Sequence, residues 1–206
     1  MNICIFGDSI TWGTGDSEKG GWTERLKVYF GKKYDIDVYN LGISGNTTED
    51  LLERIENESK VREPNIIIFA IGVNDAQFIH STNSNRISED DFRANIEKLY
   101  GIAKKFTSKI IFIGLTPVDE SKTKPIPWNT NKTYTNERIK KFDQIVEEFC
   151  LKNNLKFIPV SDFLNNDDLT DGVHPNTQGY IKIFERIKTE LENSLTLLGI
   201  SIPEKM

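Results

Sequence analysis

The stretch Asn2-Ile3-Cys4-Ile5-Phe6-Gly7-Asp8-Ser9-Ile10-Thr11 decides how the chain is read. Its first half is a short apolar run rich in β-branched residues and ended by Gly-Asp-Ser, the pattern of a strand buried on both faces of a parallel sheet. A strand that breaks at a sharp turn and gives way to a helix exposes a side chain at the carboxyl edge of its sheet, where open α/β folds place their ligands. Ser9 is that side chain. For it to serve as a nucleophile, a base, an orienting carboxylate and oxyanion donors must reach the same edge.

Outward from this stretch, strands and helices alternate. Residues 36–41 alternate apolar and polar side chains as a second strand. Residues 65–73 contain Ile66-Ile67-Ile68-Phe69-Ala70-Ile71, the most hydrophobic run of the chain and the mark of a central parallel strand. Residues 109–115 and 156–160 supply the fourth and fifth strands. Gly20-Gly21 opens a helix that carries Trp22, Leu26, Tyr29 and Phe30 on one stripe and ends near Lys33. Thr47-x-x-Asp50 and Ser88-x-x-Asp91 have capping-box spacing and start two more helices, the first stopping before Pro64. Further helices are expected over 133–151 and 178–195. Strands alternating with helices call for a parallel sheet covered on both faces. With right-handed crossovers, the expected architecture is a three-layer α/β/α sandwich, one domain over residues 1–206, in flavodoxin-like strand order 2-1-3-4-5. That order makes the first strand the switch point and sets the loops bearing Gly45 and Asn74 beside Ser9.

Composition excludes several function classes. The chain has 31 acidic against 26 basic residues, a net charge of -5, and no Lys/Arg run of the kind that tracks a phosphate backbone, so nucleic acid is not expected as a partner. No apolar run reaches the length of a membrane span, and the strand pattern beginning at Asn2 leaves no room for a cleavable signal peptide, so the expected location is the cytoplasm. The 2 cysteines, Cys4 and Cys150, make no disulfide framework, and with only 2 histidines the chain lacks metal-ligand spacing. No metal or cofactor is expected.

The remaining parts of a serine site lie on the right loops. His174 sits in Asp171-Gly172-Val173-His174-Pro175, stiffened by the proline, and can take the serine proton as base while Asp171 fixes its tautomer. The Ser9 amide, the Gly45 backbone and the Asn74 side chain are the candidate oxyanion donors. Gly7-Asp8-Ser9-Ile10, the Gly45 loop, Gly72-x-Asn74-Asp75 and Asp171-x-x-His174-Pro175 together resemble, in order and spacing, the conserved blocks of the SGNH (GDSL) hydrolases, the GDSL-like lipases and acylhydrolases. Ile10 stands where the family name has leucine. The resemblance implies Ser9 as nucleophile, the Ser9 and Gly45 amides with the Asn74 side chain as oxyanion hole, Asp171 and His174 as the rest of the triad, and hydrolysis of esters or thioesters without a cofactor. The chain lacks Gly-x-Ser-x-Gly and a P-loop, which sets aside the ordinary α/β-hydrolases and nucleotide-binding folds.

The expected activity is therefore that of a serine esterase acting on small or medium acyl groups, with acetylated carbohydrates or other small acetyl esters as one substrate class. A longer-chain thioesterase or lysophospholipase is the alternative within enzymes, and a non-catalytic ligand-binding protein on a flavodoxin-like sheet the alternative outside them. The pocket walls are assigned to residues 76–87 and 116–132, with Phe78, His80 and Trp128 as substrate-side candidates. Asp8 and Asp75 join these from the motifs, Asp8 also being expected to hold its turn.

Overall fold

The computed structural model describes residues 1–197. In chain order its first half comprises β1 (Asn2–Gly7), α1 (Ser9–Trp12), α2 (Gly21–Lys33), β2 (Asp37–Gly42), α3 (Thr48–Arg62), β3 (Ile66–Ala70), β4 (Phe78–Ile79) and β5 (Ser84–Asn85). There follow α4 (Glu89–Ala103), β6 (Ile110–Ile113), α5 (Glu120–Thr123), β7 (Lys132–Thr133), α6 (Asn136–Lys152), β8 (Lys156–Ile158), a 3₁₀ turn (Asn166–Asp168) and α7 (Thr177–Leu197). The main sheet has five strands in the order β2-β1-β3-β6-β8, all parallel, which is the expected 2-1-3-4-5 order. Helices α2 and α7 pack against each other, and α3, α4 and α6 form a second row, completing the α/β/α layers.

Burial follows the patterning. Ile3, Cys4, Ile5 and Phe6 of β1 and Ile67, Ile68 and Phe69 of β3 are all 0% exposed, as a strand covered on both faces must be. In register, Gly7 lies beside Gly42 on one side and Ala70 on the other, so three carboxyl-edge loops leave the sheet from one level. Gly7 is required at that point: a Cβ there would collide with Thr11 Oγ1 and the Ala70 carbonyl. The Thr47 capping box forms, with the Thr47 amide donating to Asp50 Oδ2 at 2.7 Å, and Ser88 caps α4 by accepting from the Asp91 amide at 3.1 Å.

Several strands end earlier than their apolar runs suggest, each for a backbone reason. β6 stops at Ile113, and the Leu115 amide instead donates to Asp143 Oδ1 on α6 at 2.7 Å. β8 stops at Ile158 because Pro159 has no amide to continue a ladder. The largest departure concerns the loops 76–87 and 116–132. They fold together as a small antiparallel sheet in the order β5-β4-β7, joined by α5, and α6 begins at Asn136, because Lys132–Thr133 is a strand and Thr135 is the helix N-cap. Among the described residues no helix is long and apolar enough to cross a membrane.

Candidate active site

At the end of β1 the chain turns through Asp8, whose carboxylate caps α1 by accepting from the Ile10 amide at 2.9 Å. Asp8 is 2% exposed, and burial pushes its carboxyl up to about 6. The turn presents Ser9 at the carboxyl edge. Facing it is the segment after β8, where Leu169 and Pro175 bridge and the Thr170 amide donates to the His174 carbonyl at 2.8 Å. Inside this small hairpin Asp171 Oδ1 accepts from the amides of Val173 (3.0 Å) and His174 (2.8 Å), and its Oδ2 lies 2.7 Å from His174 Nδ1. His174 Nε2 in turn lies 2.9 Å from Ser9 Oγ. Gly15, at φ +94, lets the chain pass close to this segment, since a Cβ there would press on the Pro175 carbonyl and the His174 Cβ.

The electrostatics settle the direction of this chain of hydrogen bonds. Burial raises the Asp171 carboxyl, but the hydrogen bonds from the His174 ring and from the His174 and Val173 amides outweigh it and lower the group to about 2. An ionised Asp171 can only accept. His174 Nδ1 is therefore the donor of that bond, which leaves Nε2 as the ring nitrogen facing the Ser9 hydroxyl.

On the other side of Ser9 lie the second and third loops. Gly45, at φ +82, has open space where a Cβ would stand, and its carbonyl accepts from Arg86 at 3.0 Å. Asn74 Nδ2 donates to the Asn46 carbonyl at 3.0 Å, and its Oδ1 accepts from the Tyr134 hydroxyl at 3.0 Å. Arg54 braces the whole edge. Its guanidinium donates to the carbonyls of Gly7 (3.2 Å) and Leu41 (3.0 Å) and to the Asn46 side chain (2.9 Å). Ser9, Gly45, Asn74 and His174 thus line one cleft of about 310 Å³, with Trp128, Tyr134, Gln77, Arg86 and Lys132 among the other residues of its walls. A larger groove of about 950 Å³ runs between α2 and α7, but it holds none of these residues.

Other expected pocket residues are placed elsewhere. Asp75 is 0% exposed and is spent on α3, accepting from the Thr48 amide at 3.0 Å and the Thr48 hydroxyl at 2.5 Å. Burial pushes its carboxyl up to about 7. Neither it nor Asp8 lines the cleft; both lock loops in place. Phe78 packs edge-on to His80 at 5.2 Å and under the Arg138 guanidinium at 4.4 Å, and His80 Nε2 meets Thr133 Oγ1 at 2.9 Å. Both hold the small sheet together and stand outside the cleft. Trp128, 54% exposed, is the one of the substrate-side candidates on the cleft wall. Gln77, Arg86 and Lys132 lie in the two stretches expected to form the pocket walls, although they were not singled out there, whereas sequence reasoning missed Arg54 and Tyr134, which reach the site only through tertiary packing.

The sequence profile of the GDSL-like Lipase/Acylhydrolase family matches residues 5–181, and so spans every residue of the site. The chain belongs to that family. Among curated proteins, this family member is 25% identical over 205 residues to the uncharacterized protein YpmR of Bacillus subtilis (strain 168), covering 90% of this chain and 79% of YpmR. It is also 29% identical over 128 residues to the uncharacterized lipoprotein YqeF of the same strain, covering 60% of this chain and 51% of YqeF. Among solved structures, the lipase/acylhydrolase from Enterococcus faecalis superposes with a TM-score of 0.76 at 24% identity, over 94% of this chain and 96% of that one. A catalytic mutant of Axe2, an acetylxylan esterase from Geobacillus stearothermophilus, superposes with a TM-score of 0.73 at 20% identity, over 92% and 93% of the two chains. At these identities the two structures share the fold.

Proposed function

We infer that this acylhydrolase-family chain is a serine esterase with Ser9 as nucleophile. The observation that carries the reading is the continuous relay from Asp171 through His174 to Ser9, with separations of 2.7 and 2.9 Å. In this mechanism the Ser9 oxygen attacks the acyl carbon as its proton passes to His174 Nε2, and the imidazolium is held by ionised Asp171. The Ser9 and Gly45 amides and Asn74 Nδ2 receive the carbonyl oxygen as it gains charge. His174 then gives its proton to the departing alcohol oxygen, leaving an acyl-Ser9 ester. Water, deprotonated by the same histidine, attacks that ester, and the acid leaves with Ser9 restored.

The cleft, about 310 Å³, is at the lower end of the range for small-ligand sites, roughly 300–1,000 Å³. That favours small or medium acyl groups over the long-chain thioesterase or lysophospholipase reading. The exposed Trp128 face on its wall suits a sugar or another compact alcohol, in line with the acetylxylan esterase that shares the fold. The test is a nitrophenyl ester series from acetate to palmitate, run beside acetylated xylose and an acyl thioester, with Ser9→Ala as control. We expect the rate to peak at short chains and Ser9→Ala to lose activity by orders of magnitude with its fold intact. Near-wild-type turnover by purified Ser9→Ala would overturn the serine mechanism, and a maximum at palmitate would overturn the substrate class.

A further inference from the structure

A side-chain amide has a donor end and an acceptor end of nearly equal size, so an asparagine serves an oxyanion only if something fixes which end faces the substrate. At Asn74 both ends are committed. Oδ1 accepts from the Tyr134 hydroxyl at 3.0 Å, and Nδ2 donates one of its two protons to the Asn46 carbonyl at 3.0 Å. Rotating the amide would set its oxygen against the Asn46 carbonyl, which can only accept, and would oblige the Tyr134 hydroxyl to give up donating to Oδ1, in a buried site where unpaired polar groups are costly. The second Nδ2 proton is thereby left for the cleft that Asn74 and Ser9 share.

Tyr134 is built to hold this arrangement. It is 5% exposed, and its backbone is clamped to α5: its amide donates to the Thr123 carbonyl at 3.1 Å while Thr123 Oγ1 donates to the Tyr134 carbonyl at 3.0 Å. Burial raises the phenol above its ordinary range, so it keeps its proton. We propose that Tyr134 is a positioning residue that, together with the Asn46 carbonyl, holds the Asn74 amide with its nitrogen toward the reacting carbonyl, acting on catalysis through Asn74. The proposal rests on the esterase reading of the cleft.

A double-mutant cycle separates this role from a merely structural one. Removing an oxyanion donor costs about 10²–10³ in kcat, and freeing its orientation should cost part of that. We therefore expect Tyr134→Phe, which keeps the ring, to lower kcat about tenfold with KM changed less than about twofold, because the bond at stake matters chiefly in the transition state. In the Asn74→Ala background the same substitution should change kcat by less than about twofold. An equal loss in both backgrounds, or none in the parent, overturns the proposal. A second readout does not depend on turnover: the Asn74 side-chain amide pair in NMR spectra, assigned by its absence in Asn74→Ala. It should shift and exchange faster with solvent in Tyr134→Phe, and an unchanged pair overturns the orientation argument. Full activity in Ser9→Ala, by contrast, defeats the serine mechanism while leaving the NMR result to judge Tyr134.

Discussion

Replacing Asp171 by asparagine tests the relay at its least exchangeable point. The substitution preserves shape, and the amide oxygen can stay where Oδ1 accepts from the Val173 and His174 amides at 3.0 and 2.8 Å. The amide nitrogen then faces His174 Nδ1 across what was a 2.7 Å hydrogen bond. Two donors cannot share that line, so Nδ1 must become the acceptor and the ring proton must move to Nε2, which lies 2.9 Å from Ser9 Oγ. The base then points a proton at the hydroxyl it should deprotonate. Replacing a triad aspartate by its amide costs about 10⁴ in kcat in the serine protease template, and each tenfold is about 1.4 kcal/mol of barrier. Here the Asp171 side chain is 33% exposed, so water already shares in stabilising the imidazolium. We expect a loss nearer 10³, about 4 kcal/mol. The assay is kcat on nitrophenyl acetate at neutral pH, with the thermal melt as a check on folding. The melt carries its own sign: the folded carboxyl is lowered from 3.8 to about 2, so the wild type's advantage from this group is present above 3.8 and disappears as pH falls through about 2. A folded Asp171→Asn protein within tenfold of wild-type kcat would refute the tautomer argument.

Three further outcomes follow from neighbouring groups. The folded Asp75 carboxyl is raised from 3.8 to about 7, so its contribution is fully present below 3.8 and lost as pH rises through about 7. The melting temperature of Asp75→Asn, whose amide oxygen can still accept from Thr48, should therefore gain on the wild type across that window, and a pH-independent difference counts against it. Arg54→Met removes the donor shared by the Gly7 and Leu41 carbonyls and should cost about 1–3 kcal/mol in urea unfolding, with kcat lowered as the Asn46 loop loosens. A variant as stable and active as the parent would show the brace to be idle. Among the described residues Arg86 and Lys132 line the cleft and no Asp or Glu does, so the monoester of a dicarboxylic acid should show a higher kcat/KM than its neutral methyl-capped counterpart. That advantage should shrink in high salt and in Lys132→Gln, and equal rates for the two esters at low salt would show that the cleft does not sense the charge.

How much of this was legible in the sequence depends on how far each interaction reaches along the chain. Asp171 and His174 are three residues apart, and the glycine and proline around them fix a local hairpin, so their pairing could be read directly. Ser9 could be read because its strand and turn are local, and its meeting with His174, 165 residues away, followed from the strand order. The small sheet was not legible. Its strands are two residues long, too short to show any period, and they pair segments from 78–79, 84–85 and 132–133. Tyr134, beside that sheet, was invisible for the same reason, and Arg86, though in a stretch expected to form the pocket wall, could not be singled out, yet the two hold Asn74 and Gly45 in place.

The two motif acids show where proximity in sequence misleads. Asp8 precedes the serine and Asp75 follows the asparagine, yet each turns away from the cleft into the protein. The charge of Asp8 contributes to raising Asp75, so the two carboxylates oppose one another beneath the site. A protein gains nothing by burying two mutually repelling acids unless each binds something that an apolar residue could not. Asp8 holds the Ile10 amide and so sets the turn that exposes Ser9; Asp75 holds the amide and hydroxyl of Thr48, and Asn95 closes the same network by donating to that hydroxyl at 3.0 Å. The Gly45 loop leads directly into Thr48, and Asn74 adjoins Asp75. The buried carboxylate therefore joins the two loops that carry the candidate oxyanion donors, and the hydrogen bonds it accepts from Thr48, made where water cannot compete, hold those loops together.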